Sequence, residues 1–131
     1  MNSGPTCLTY AMYIFVNTDL KMDKGKIAGQ VGHVVQKIIE KILVDFIPME
    51  NPDDKTKEII SNYIKWKTHG MAKIILKASQ VQLEEFMNNS TTCHVRDSGL
   101  TQIAPNSLTV VGFYPESKEN MNVITSGFKL L

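Results

Sequence analysis

The chain has 131 residues, 43% of them hydrophobic and 21% charged, with a formal net charge of +1. That length buries roughly two-thirds of the unfolded surface in one domain, so a core needs no disulfide or metal to hold it. The balance of 14 basic and 13 acidic residues excludes a generally basic nucleic-acid-binding arm, and the apolar fraction excludes a disordered chain or a membrane bundle.

Tyr10-Ala-Met-Tyr-Ile-Phe-Val16 is a continuous apolar run bounded by Asn17-Thr18-Asp19, the pattern of a strand buried on both faces. Residues 27–47 read as a helix. Its apolar positions Ile27, Val31, Val34, Ile38, Ile42 and Phe46 recur on one helical face, and Pro48 ends it. A second helix is predicted over 54–69, with Asp53 or Asp54 as cap, Gly70 as stop, and Ile59, Ile60, Tyr63, Ile64 and Trp66 as its buried side. Residues 71–77 read as a strand centred on Ile74-Ile75-Leu76, and 79–87 as a short helix capped by Ser79. Strands over 91–95 and 108–113 and a last helix over 115–126 complete the order. Strands alternating with helices imply one layered α/β domain around a partly parallel sheet, with 1–9 as a flexible extension. In such folds function gathers at the strand ends.

Cys7 and Cys93 make no disulfide framework and lack Cys-x-x-Cys or Cys/His ligand spacing, which reads as free thiols in a reducing cytoplasm. Residues 1–6 lack the basic start of a secretory signal, and the run 10–16 is too short to cross a bilayer. A cytoplasmic protein that does not enter a membrane is the expectation, and without export the sequon Asn89-Ser90-Thr91 has no consequence.

Two segments could carry chemistry. The first, Asp19-Leu20-Lys21-Met22-Asp23-Lys24-Gly25-Lys26, sets three lysines where the first helix begins, an end that already favours an anion. It lacks Walker A spacing, and a solvated lysine loop is the plain alternative. Lys26, Gln30, His33 and Lys37 fall on one polar stripe of the helix that follows, which makes them, with Lys24, candidates for binding a substrate. Gly25, Gly29 and Gly32 form a neighbouring stripe, suited either to tight packing or to close approach by a ligand. His33 alone reads equally as a structural histidine.

The second segment runs from Arg96 to Ser107 between two strands. Asp97, its neighbouring hydroxyls and Gln102 could handle a water molecule, and the same residues also suit a plain turn. A serine-nucleophile elbow and a second glycosidase carboxylate are both missing. His33, His69 and His94 are not at metal-ligand spacing, so a metal site is not expected.

Together the two segments resemble the archaeal and eukaryotic type (type II) of peptidyl-tRNA hydrolase. That family's pattern is Asp-Leu-x-Met-x-Lys-Gly-Lys after a strand, Ala-x-Gln-x-x-His on the following helix, and later Asp-x-Gly-x-Thr-Gln-Ile-Ala-Pro. This chain has Asp19-Leu20-Lys21-Met22-Asp23-Lys24-Gly25-Lys26, then Ala28-Gly29-Gln30-Val31-Gly32-His33, and then Asp97-Ser98-Gly99-Leu100-Thr101-Gln102-Ile103-Ala104-Pro105. Trp66, Gly70, the stretch 73–77 and the ending 127–131 are similar as well.

The resemblance implies an α/β fold, a three-layer α/β/α sandwich with a four-stranded mixed, partly parallel sheet, usually dimeric. It implies hydrolysis of the ester that joins a peptide to the 3′ end of tRNA, without metal or cofactor. The family's catalytic groups fall on Lys26, Asp97 and Thr101. Lys24, Gln30, His33, Lys37, Gln102 and Ser107 are the substrate-binding candidates. Asn17 stands where the family commonly has arginine, Leu100 replaces a usually basic residue, Gly32 an alanine and Asn106 a glycine. Loss of charge at Asn17 and Leu100 leaves a rival reading, an RNA- or partner-binding relative without turnover.

The near-neutral charge is unevenly spread. Residues 20–39 and 59–83 hold eight lysines and one acidic residue, and the rest of the chain holds six basic and twelve acidic residues. The expectation is a basic face.

Overall fold

The apolar run at the start becomes strand β1, Tyr10–Asn17, in a computed structural model that describes residues 9–98 and 103–131. Alternate side chains of β1 enter two different cores, because successive residues of a strand point to opposite faces. Met12, Ile14 and Val16 join Val34, Ile38, Ile42, Ile59, Tyr63 and Trp66 on one face. Ala11, Tyr13 and Phe15 join Leu83, Val111, Phe113 and Met121 on the other. Helices α1 (Lys24–Glu40) and α2 (Asp54–Thr68) thus cover one side of the sheet, and α3 (Gln80–Met87) and α4 (Lys118–Thr125) cover the other. This is the three-layer α/β/α arrangement.

The sheet is mixed. β1 pairs in parallel with β2 (Lys73–Ala78) and antiparallel with β4 (Leu108–Phe113), and β3 (Thr92–Arg96) pairs antiparallel with β4. The order β2-β1-β4-β3 leaves β2 and β3 at the edges. A fifth strand, β5 (Glu116–Ser117), pairs with Tyr10 and Ala11, so among the described residues the sheet has five strands where four are expected. It falls where the sequence suggests that the last helix starts. Pro115 has no N–H to donate to the ladder, and the chain resumes pairing just past it. The helix then begins at Lys118, its cap being Ser117, whose Oγ accepts from Asn120 N at 3.1 Å.

The helix predicted over 27–47 changes character along its length. α1 ends at Glu40, and Lys41–Phe46 forms a π-helical turn, with Ile47 N donating to Ile42 O. The spacing explains it. In an α-helix each step of four residues overshoots one turn by about 40°, so Val34, Ile38, Ile42 and Phe46 would drift by about 120° off a single face. A wider turn removes that overshoot, and Phe46 packs edge-on against Tyr114.

α1 lies close to β4. A Cβ on Gly112 would sit 2.9 Å from Ile38 Cδ1 and 3.2 Å from Val34 Cγ2. The close approach is made by this strand glycine. A Cβ added to Gly29 or Gly32 would meet nothing within 4 Å, so tight packing does not account for the glycines of the helix.

Candidate active site

β1 ends at Asn17, and a 3₁₀ turn, Thr18–Leu20, leads the chain toward α1. Asp23 caps that helix by accepting from Lys26 N at 3.0 Å. Lys26 therefore sits in the first turn, where the helix dipole adds positive potential. Its side chain reaches across to the segment after β3 and forms an ion pair with Asp97. The two side chains are only 11% and 2% exposed. Removing two charges from water is costly, and pairing is what makes burial tolerable.

Asp97 is fixed by its backbone as well. Its N–H donates to Ser107 O at 2.8 Å, and its carbonyl accepts from Asn106 N at 2.7 Å. Asn106 has φ +68°, the left-handed conformation that asparagine tolerates better than most residues. Arg96 Nη1 donates to Asn106 O at 3.1 Å, closing the turn from outside.

A β-bulge lies beside the pair. Val95 stands opposite Val110, but Arg96 stands opposite Leu108, so Thr109 is the extra residue. A bulge re-aims side chains, and here it turns Thr109 toward α1. Its hydroxyl donates to Gln30 Oε1 at 2.7 Å and lies 3.1 Å from the Val95 carbonyl. Thr109 is 0% exposed and Gln30 6%. Gln30 thus leaves the expected polar stripe. It is a buried tie between the sheet and the helix turn next to Lys26, with its carboxamide used inside the protein.

The other candidates are scattered. Lys24 and His33 are exposed on α1. Lys37 is exposed and donates to the carbonyl of His94 at 2.6 Å. Ser107 Oγ donates to Ala104 O at 2.7 Å, within the turn that holds Asp97. Thr101 and Gln102, with Gly99 and Leu100, lie outside the described residues.

Asn17, one of the departures from the family pattern, is 1% exposed and fully engaged. Its Nδ2 donates to Leu108 O at 2.9 Å and to Gln80 Oε1 at 2.7 Å, and its Oδ1 accepts from Asp19 N at 2.9 Å. It holds the ends of β1 and β4 together with the start of α3. Neither this role nor that of Thr109 is visible in local sequence patterns, where the one signal is a lone threonine inside Leu-Thr-Val-Val-Gly-Phe.

The lysines do not gather in one cluster. Lys21, Lys24 and Lys26 stand where β1 passes into α1, and Lys77 lies beside Val16 near the same end of the sheet. Lys65 lies over the ring of Tyr10 and Lys73 over that of Trp66, at the opposite end. Near the β3 edge, burial and the nearby Lys37 and Arg96 lower the His94 pKa below its ordinary value, and burial raises that of the Cys93 thiol. Cys7 lies outside the described residues. Among the described residues, no group of three or more His, Cys, Asp or Glu is arranged to hold a metal ion, and no helix is long and apolar enough to cross a membrane.

Comparison with known proteins places the chain among named relatives. The family model described as Peptidyl-tRNA hydrolase PTH2 matches residues 10–131. A peptidyl-tRNA hydrolase of Methanococcus maripaludis strain C7 is 33% identical over 93% of this chain and 99% of its own. One from Sulfurisphaera tokodaii is 34% identical over 92% of this chain and 97% of its own. A probable peptidyl-tRNA hydrolase 2 of Drosophila melanogaster is 30% identical over 93% of this chain, which spans 62% of that longer protein. A motif set that frames a buried lysine–aspartate pair, carried on a chain matched from its first strand to its last residue, marks this protein as a member of the peptidyl-tRNA hydrolase PTH2 family.

Proposed function

We propose that the chain hydrolyses the ester between a peptide and the 3′ end of tRNA at the Lys26–Asp97 pair. The observation that carries this reading is the buried ion pair itself, joined across 71 residues of sequence. The carboxylate of Asp97 accepts a proton from a water molecule as that water's oxygen attacks the ester carbonyl carbon. The tetrahedral intermediate then expels the 3′ oxygen of the tRNA, which takes up the proton. An ammonium has three donors; one faces Asp97, and the others supply positive charge to the oxyanion. Thr101 donates a hydrogen bond to the substrate or to the water. No covalent enzyme intermediate is required.

Lys24, His33 and Lys37, all exposed on α1, supply contacts to the tRNA backbone, and Gln102 and Ser107 supply further contacts to the substrate. Gln30 acts through position, holding the helix that carries Lys26. The chain works as a single domain, in the cytoplasm, and as a homodimer; exposed Leu43, Ile47 and Met49 around the π-helical turn favour self-association.

The test is to incubate the purified chain with an N-acetyl-aminoacyl-tRNA and follow release of the N-acetyl amino acid. The expected result is turnover well above spontaneous hydrolysis, inhibited by uncharged tRNA. Release no faster than the uncatalysed rate, with the ester protected instead, would point to a binding protein. Turnover insensitive to uncharged tRNA would point to a general esterase. Sedimentation of the same sample checks the dimer.

A further inference from the structure

We propose that the outer edge of β3 binds the peptide part of the substrate as an added strand, parallel to β3, with its ester end at Asp97. The inference rests on the activity proposed above and specifies how the peptide is held.

β3 is an edge strand, and among the described residues no strand pairs with its outer side. Thr91 O accepts from Tyr114 N, and the N–H and carbonyl of Asp97 both bond to the turn before β4, so the odd-numbered residues face β4. By the alternation of an antiparallel ladder, the backbone groups of Thr92, His94 and Arg96 point outward. The outward carbonyl of His94 does accept a donor from outside: Lys37 Nζ reaches it at 2.6 Å, in the place that a strand N–H would take. That lysine is exposed and can move aside.

The edge leads directly into the site. Arg96 ends β3, and the next residue is Asp97. A peptide whose ester carbonyl lies at Asp97, and whose amino end lies beside Thr92, runs in the direction of β3. β3 has five residues, and an added strand rises by the same 3.3 Å or so per residue, so about five residues cover that edge. A cleft of about 520 Å³ between the end of α1 and β3, bordered by Val44, Cys93 and Tyr114, leaves room for the side chains on one face. Strand addition uses main-chain hydrogen bonds, so it accepts peptides irrespective of sequence. That suits a substrate whose constant feature is the ester.

The experiment compares tRNA esters carrying an N-acetyl amino acid and N-acetylated peptides of about two to seven residues. The expected result is a kcat/KM that rises about tenfold up to about the pentapeptide and then levels off, the equivalent of about 1.4 kcal/mol and of one or two net hydrogen bonds. Changing side chains at constant length should alter it less than about threefold. N-methylation of internal amides should abolish the gain with the wild-type protein. His94→Pro, which removes an outward N–H without breaking the ladder to β4, should bring the long-to-short ratio close to one. A flat length dependence in active wild-type protein overturns the proposal, as does a gain that survives N-methylation, whether or not the proline variant folds. Loss of a dimer in His94→Pro with the length dependence intact would assign the edge to a second copy and also overturn it. Absence of turnover with every ester would refute the activity itself, and this proposal with it.

Discussion

Replacing Thr109 by valine removes one hydroxyl and leaves the shape of the side chain almost unchanged. That hydroxyl is the donor to Gln30 Oε1 at 2.7 Å, and the Val95 carbonyl is within 3.1 Å. Both partners are buried, so neither recovers the loss from water. An unsatisfied buried polar group costs about 1–3 kcal/mol, and the added methyl returns up to about 0.8 kcal/mol. Taking the middle of that range, the expected net loss is about 1.2 kcal/mol, or about 4 °C in Tm for a chain of this length. Urea titration of Thr109→Val, Gln30→Leu and the double variant gives the coupling. The double variant should be at least 1 kcal/mol more stable than the sum of the single losses, because removing both partners spares the unsatisfied carboxamide. The tie lies one helical turn from Lys26, so kcat on peptidyl-tRNA should fall about tenfold, with a smaller change in KM. A Thr109→Val protein within 0.5 kcal/mol of wild type, with additive single variants, would refute the reasoning.

Three further outcomes are expected. Gly112→Ala puts a Cβ 2.9 Å from Ile38 Cδ1 and should cost about 1–3 kcal/mol by urea titration; Ile38→Val on the same background should recover part of it. The folded-state pKa of His94 is below its ordinary 6.5, so the unfolded chain binds that proton first as pH falls. Its contribution to stability should be complete above about pH 6.5 and should fall through the interval below it, and urea midpoints across pH 5–8 should show this slope reduced in His94→Gln. If exposed Lys24 meets a phosphate, Lys24→Ala should lower the slope of log affinity for tRNA against log salt by about 0.7–0.9, a change that filter binding at several salt concentrations would detect.

Much of the scaffold was legible because its signals are local. Asp53 and Ser79 cap the helices that begin after them, as their spacing suggests, and Ser79 forms a reciprocal capping box with Gln82. β1 is buried along nearly its whole length, as its unbroken apolar run requires. The start of α4 was not legible, because the pairing of Glu116–Ser117 depends on a partner more than a hundred residues earlier. Helix periodicity put Gln30 on a polar stripe, and only the bulge at Thr109 explains why its carboxamide faces the sheet. Likewise Asn17 looked like a lost positive charge near the site, yet it is a buried polar tie to Leu108, Gln80 and Asp19. The meeting of Lys26 with Asp97 depends on tertiary structure, and family resemblance alone led to it before the fold did.

The most direct test of the account is single-turnover release from a peptidyl-tRNA by wild-type protein beside Asp97→Asn, with circular dichroism showing both to be folded. The asparagine keeps the size of the side chain but cannot take the proton of the attacking water. The account predicts a loss of at least two orders of magnitude in rate, in the range that general-base catalysis contributes, with tRNA affinity changed much less. An Asp97→Asn protein that releases peptide at the wild-type rate would contradict it.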